Sequence, residues 1–184
     1  KENDLNEEEA VTIASLITAC IEQPEYEGLT FGMISMLGRS RQHQRVQELL
    51  MRSLDPKVYE DRKILCGTPS HFQGGERDVV FISTVDSPDP NGGPLRRRGD
   101  GARGINKKRF NVAASRAKDQ MWVVHSLEPG YDLHGYSEDL RSRLILHART
   151  SSELPSRIER LAKKTRSIFE VRVAEKLLSA GYEV

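Results

Sequence analysis

Apolar side chains recur at helical spacing through Ala10, Ile13, Ala14, Ile17 and Ile21, which predicts an amphipathic helix near the start of the chain. Asn6 is placed to cap it, and Glu7, Glu8 and Glu9 put negative charge where the helix dipole favours it. Gly28 breaks the pattern, and residues 31–36 (Phe-Gly-Met-Ile-Ser-Met) then read as a buried strand. A second helix is predicted over 41–51, with Val46, Leu49 and Leu50 inward, followed by a second strand over 62–66. A third strand is expected over 78–84, a fourth over 121–126, and a helix over 137–149. Beyond it the polar stretch 150–165 reads as a partly helical connector, and 168–184 as an amphipathic helix stopped by Gly181.

Strands that alternate with helices and are apolar throughout, rather than at every second position, indicate a mostly parallel sheet covered on both faces. Ligands of such sheets bind beyond the carboxyl ends of the strands. Between the third strand and the next helix, residues 87–104 are rich in Pro and Gly. A loop of that length inside a compact domain is functional or disordered, and Arg96, Arg97, Arg98 and Arg103 make it basic.

Composition narrows the class. With 184 residues, 37% hydrophobic and 30% charged, the chain can bury a core and is expected to be soluble and cytoplasmic. No run of apolar residues approaches a membrane span, so no membrane partner is expected. A net charge of +1 means that any contact with nucleic acid must come from local clusters of cations. Cys20 and Cys66 stand far apart in apolar surroundings and read as free thiols, and no Cys or His spacing suits a metal. The chain begins without Met, which suggests a piece of a longer protein.

Two segments carry chemistry. Residues 67–78, Gly-Thr-Pro-Ser-His-Phe-Gln-Gly-Gly-Glu-Arg-Asp, form a polar loop that runs into the apolar strand Val79-Val80-Phe81-Ile82. Residues 109–118, Arg-Phe-Asn-Val-Ala-Ala-Ser-Arg-Ala-Lys, read as a short helix that ends by presenting Arg116, with Phe110, Ala113, Ala114 and Ala117 on its packing face and Arg116 on the neighbouring stripe with Arg109 and Val112. An arginine aimed at a transferring phosphoryl group stabilises the charge that develops there. A carboxylate such as Glu76 is suited to the two hydroxyls of a ribose. Hydroxyls such as those of Thr68 and Ser70 are common donors to nucleic-acid phosphates, and serve turns equally well. Lys107 and Lys108 sit in the first turn of the Arg116 helix, where the dipole disfavours cations. With Arg96, Arg97, Arg98 and Arg103 they form the one dense basic cluster, suited either to phosphate contact or to a solvated loop.

The two segments, in this order, resemble motifs V and VI of superfamily 1 helicases of the 1B subgroup, whose members carry FQGxExD and NVAxSRA-type sequences. Residues 31–38 resemble motif IV, with no position matching a catalytic residue. The resemblance covers about residues 5–148 and implies a RecA-like three-layer α/β/α domain with a mostly parallel sheet, the second of two in such a motor. It implies that Arg116 is the arginine finger, that Glu76 with Gln73 and Gly74 contacts the nucleotide, and that Thr68, Ser70 and the basic cluster face single-stranded nucleic acid, with DNA favoured. Gly75 departs from the family, where a charged residue is common. The first domain of the same polypeptide would hold ATP and Mg²⁺, because no GxxxxGK[ST] loop occurs here. The chain alone is therefore expected to be inactive.

Ser167-Ile168-Phe169-Glu170 and the apolar positions after it are similar to the opening helix of very-short-patch-repair-like nucleases of the PD-(D/E)xK class. The expected organisation is thus a helicase domain over 1–149, a charged connector over 150–166, and the first helix of a nuclease-like domain over 167–184. The competing reading is a binding module of the same fold that docks nucleic acid or protein without turnover.

Overall fold

The computed structural model describes residues 5–88, 95–133 and 138–150. The chain divides into two compact units, 1–145 and 146–184. The predicted connector and nuclease-like helix lie outside the described residues.

Helix α1 (Glu7–Ile21) starts where the sequence places it: the Asn6 side chain accepts a hydrogen bond from the Glu9 amide at 3.1 Å. Strand β1 (Phe31–Ser35) is buried along its whole length. Helix α2 (Gln42–Ser53) follows, and then a short helix α3 (Pro56–Asp61) that the apolar pattern does not announce, since none of its residues is buried. Asp55 caps α3 and Pro56 opens it, both suited to a helix start. Because α3 ends at the Arg62 cap and Lys63 adopts φ +47°, strand β2 (Leu65–Gly67) is shorter and later than the predicted 62–66.

Strand β3 (Arg77–Ser83), helix α4 (Ile105–Ala114), strand β4 (Ala117–Val124) and the one-turn helix α5 (Pro129–Asp132) follow. Residues 140–145 of the first unit and 146–150 of the second are also helical. Strand β4 starts four residues before the predicted 121. Lys118, Asp119 and Gln120 are exposed, so polarity hides their strand character, while the β3 ladder still pairs Val79 with Gln120.

The four strands run parallel in the order β2-β1-β3-β4. Alternate residues feed two cores. Phe31, Met33, Val79 and Phe81 pack under α1 and α2 with Ile13, Ile17, Val46 and Leu50. Ile34, Val80 and Ile82 pack on the other face with Phe72, Phe110, Ala113, Leu140 and Leu144. Each large side chain so buried is worth about 1.5–3 kcal/mol relative to exposure, and the two cores fix the sheet as the middle of three layers. This is the RecA-like α/β arrangement expected from the motifs.

One buried charge organises the carboxyl edge. Glu9, on the same stripe as Ile13 and Ile17, accepts hydrogen bonds from the Ser83 hydroxyl at 2.6 Å, the Val85 amide at 2.9 Å, and the Thr84 hydroxyl and Ser126 amide, both at 3.1 Å. Burial pushes its carboxyl above the usual carboxylate range, against these bonds, which favour the ionised form. Val85 holds φ +68°, a costly conformation for a β-branched residue, and donates its amide to Glu9. Nearby, the Gln42 amide clasps both backbone groups of Asn6, at 2.8 and 2.9 Å. The residue that follows the motif IV-like strand is therefore structural.

Candidate nucleotide and nucleic-acid site

The loop between β2 and β3 leaves the carboxyl end of one strand and returns to the amino end of the next. It does so in successive tight turns: the His71 amide donates to the Thr68 carbonyl at 2.9 Å, Phe72 to Pro69 at 3.3 Å, Gln73 to Ser70 at 3.4 Å and Gly75 to Phe72 at 3.1 Å. Phe72 is the anchor, fully buried among Ile34, Val80 and Phe110. A methyl group on Gly32 would lie 2.8 Å from its ring, so β1 carries glycine where the ring crosses it. Gly74 turns the chain at φ +80°, in the left-handed region that glycine occupies without steric cost. Gln73, Gly74 and Glu76 are exposed.

Helix α4 ends at Ala114, and Arg116 lies beyond it rather than on its side. Two expectations are corrected here. Arg116 shares no helical stripe with Arg109, and of the four residues assigned to the packing face Ala114 is exposed and Ala117 belongs to β4, leaving Phe110 and Ala113 to fill the core. The cause is the Ser115 cap, whose amide returns to the last turn and stops the helix. The correction sharpens the position of the arginine. The Arg116 carbonyl accepts the Arg77 amide at 3.0 Å and so opens the β3–β4 ladder, at the amino edge of the sheet. Its half-buried guanidinium meets the Val112 carbonyl at 3.2 Å, the Ser115 hydroxyl at 2.9 Å and the Phe72 carbonyl at 3.4 Å. Among the described residues no carboxylate pairs with it.

Thr68 and Ser70 lie at the start of the same loop, beyond the carboxyl end of β2. Thr68 is buried, with its amide donating to His71 Nδ1 at 3.1 Å, and Ser70 is exposed. His71 is also exposed, and its ring lies 5.8 Å from that of His43.

Two members of the basic cluster are paired with carboxylates. Arg98 pairs with Asp86 at 3.3 Å, which also takes the buried Arg141 at 3.1 Å, and Arg97 meets Glu138 at 3.1 Å. Arg141 is held in turn by Asp139 at 2.8 Å, whose carboxyl stays below its ordinary range because bonds from Arg141 and the Arg98 amide outweigh burial. Arg96, Arg103, Lys107 and Lys108 are exposed. Motif reading missed Glu9, Asp86, Asp139 and Arg141. For Glu9 a signal existed, a carboxylate on the apolar stripe of α1; the network around Asp86 joins residues 55 apart and left none.

The site therefore has two edges. At the amino edge an arginine with no counter-charge among the described residues and an exposed glutamate are carried on a helix end and a loop that touch one another. At the carboxyl edge are hydroxyls and cations. The chain matches a family described as AAA domain over residues 1–128 and belongs to it. It is a helicase-type domain, the coarse form of what the paired motifs imply. No curated protein matches the chain. Among the described residues no helix is long and apolar enough to cross a membrane.

Proposed function

We propose that this chain is the second RecA-like domain of a 1B-like, ATP-dependent translocase, and that it completes an ATP site whose phosphate loop and magnesium ligand lie on a preceding domain. The observation that carries this reading is the contact of Arg116 with the Phe72 carbonyl, which ties the two motifs into one rigid corner. A guanidinium has five donors in a fixed fork. Arg116 spends its bonds on one hydroxyl and two neutral carbonyls, which position it and leave its charge uncompensated. Such a group suits charge that develops on a phosphoryl oxygen of a substrate held by a companion domain. Glu76, exposed four residues beyond Phe72, suits the ribose, with Gln73 and Gly74 forming the turn between them.

Single-stranded nucleic acid, DNA by preference, would lie on the carboxyl edge over Thr68 and Ser70, with Arg96, Arg103, Lys107 and Lys108 supplying charge. Arg97 and Arg98 contribute less, because carboxylates already hold them. A nuclease-like domain after residue 166 remains part of the proposal on sequence grounds. ATP hydrolysis by the intact protein, with and without single-stranded DNA and RNA, tests the reading. Turnover stimulated by one of the strands is expected; absence of turnover in a protein shown to fold would favour the binding-module reading instead.

A further inference from the structure

The order β2-β1-β3-β4 contains one point where successive connections leave in opposite directions, between β1 and β3. In open parallel sheets the crevice outside the carboxyl ends of the strands at such a point is where ligands bind. Here it is occupied by a pocket of about 190 Å³ lined by Met36, Leu37, Arg98, Asn106, Arg109 and Phe110. Arg109 is the unusual member. It is half-buried, and among the described residues its side chain makes one hydrogen bond, to the Met36 carbonyl, at a long 3.4 Å. Burial, and then the charge of Arg98, hold its pKa below the ordinary arginine value. A side chain on Gly38 would lie 2.4 Å from its guanidinium, so the loop after β1 is cut back to glycine where the arginine passes.

The charges do not balance. Arg98 and Arg141 share Asp86, and Asp139 serves Arg141, so within this cluster the described carboxylates are both taken and Arg109 has none. In the same loop the amides of Leu37, Gly38 and Arg39 donate to no group of the described chain. Among the described residues, three guanidiniums against two carboxylates leave one uncompensated positive charge, on Arg109, and it lies in a strand-end crevice that Leu37 also lines: the setting of an anion site.

We propose that this crevice binds one phosphate group, with Arg109 as its principal ligand and Arg98, already held by Asp86, contributing less. It is built on the carboxyl edge, whereas Arg116 stands at the amino edge, so the two arginines serve different phosphates. Whether the phosphate belongs to a nucleic-acid backbone or is free is a matter of source; the backbone assignment rests on the reading given above, and the site itself does not.

The test is a titration of the ¹⁵N-labelled full chain at constant ionic strength, read at the Arg109 Nε–Hε resonance and at the amide of Gly38, which lies against that guanidinium and remains in the variants. The probes are inorganic phosphate, and an oligothymidylate without a terminal phosphate. A saturable shift with either probe, weakened severalfold at the Gly38 amide by Arg109→Gln and unaffected by Lys57→Gln on the exposed helix α3, is the expected result. Response to the oligonucleotide identifies a backbone phosphodiester, and Arg109→Gln then lowers the salt slope of strand binding by about 0.7; response to inorganic phosphate alone identifies a free phosphate. No saturable shift with either probe overturns the site, and since that reading is taken on the unsubstituted chain it does not depend on a variant's folding. Loss of ATP turnover has no part in this experiment, so the site and the motor reading fail separately.

Discussion

The guanidinium of Arg116 reaches the backbone carbonyl of Phe72, Nη1 to O at 3.4 Å, across 44 residues of sequence. Phe72 is fully buried and Arg116 half-buried, so a core side chain fixes the backbone on which a surface cation rests. The position of Arg116 thus depends on packing as well as on hydrogen bonding.

Gly32→Ala places a methyl 2.8 Å from the Phe72 ring and 3.2 Å from Arg77 Cγ. Both neighbours sit against a central strand, so overpacking should cost about 1–3 kcal/mol. Chemical denaturation of the chain measures this. In the intact protein the same substitution should lower kcat for ATP more than it raises KM, because it moves the carbonyl that positions Arg116.

Glu76→Ala should raise the KM for ATP while leaving kcat within a fewfold, as expected of a group that binds the sugar in ground and transition states alike. Steady-state kinetics of the intact protein decide it, and an unchanged KM would remove Glu76 from the nucleotide site.

Glu9→Gln puts an amide where hydroxyls and backbone N–H groups converge and should cost roughly 1–3 kcal/mol in unfolding experiments. The pH dependence has a definite sign. The folded carboxyl binds its proton more tightly than the unfolded one, so wild-type stability falls as pH rises from about 4.5 through the raised folded value. The glutamine variant lacks that fall, and its deficit relative to wild type should shrink across the same window.

Asp139→Asn strands Arg141, whose side chain is 3% exposed, with Asp86 as its remaining carboxylate. Breaking such a pair typically costs about 3–5 kcal/mol. Because the folded pKa of Asp139 is depressed, its contribution is fully present above the unfolded value of 3.8 and lost as pH falls through the folded one. Urea midpoints for wild type and variant should therefore converge in acid.

Much of this was legible beforehand. Continuous apolar runs announced β1 and β3, and the helical stripe with its asparagine cap announced α1, because burial on two faces and on one face leave different periods. The paired motifs pointed to Arg116 and to the loop that carries Glu76. What escaped was set by contacts distant in sequence. The early start of β4 is hidden by Lys118, Asp119 and Gln120, which face solvent at the side of the sheet. Helix α3 has no buried residue to mark it. The neutralisation of Arg98 by Asp86, twelve residues earlier on the same connection, cannot be read from a basic loop, since it depends on how that connection folds back on itself. The position of Arg116 beyond α4 turns on Ser115, whose capping role depends on its conformation rather than on its identity.

The most direct measurement is ATP turnover by the intact protein with Arg116→Ala, beside nucleotide binding by the same variant. The account predicts a fall in kcat of roughly 10³-fold or more with nucleotide affinity changed only severalfold. Turnover near the wild-type rate would contradict it.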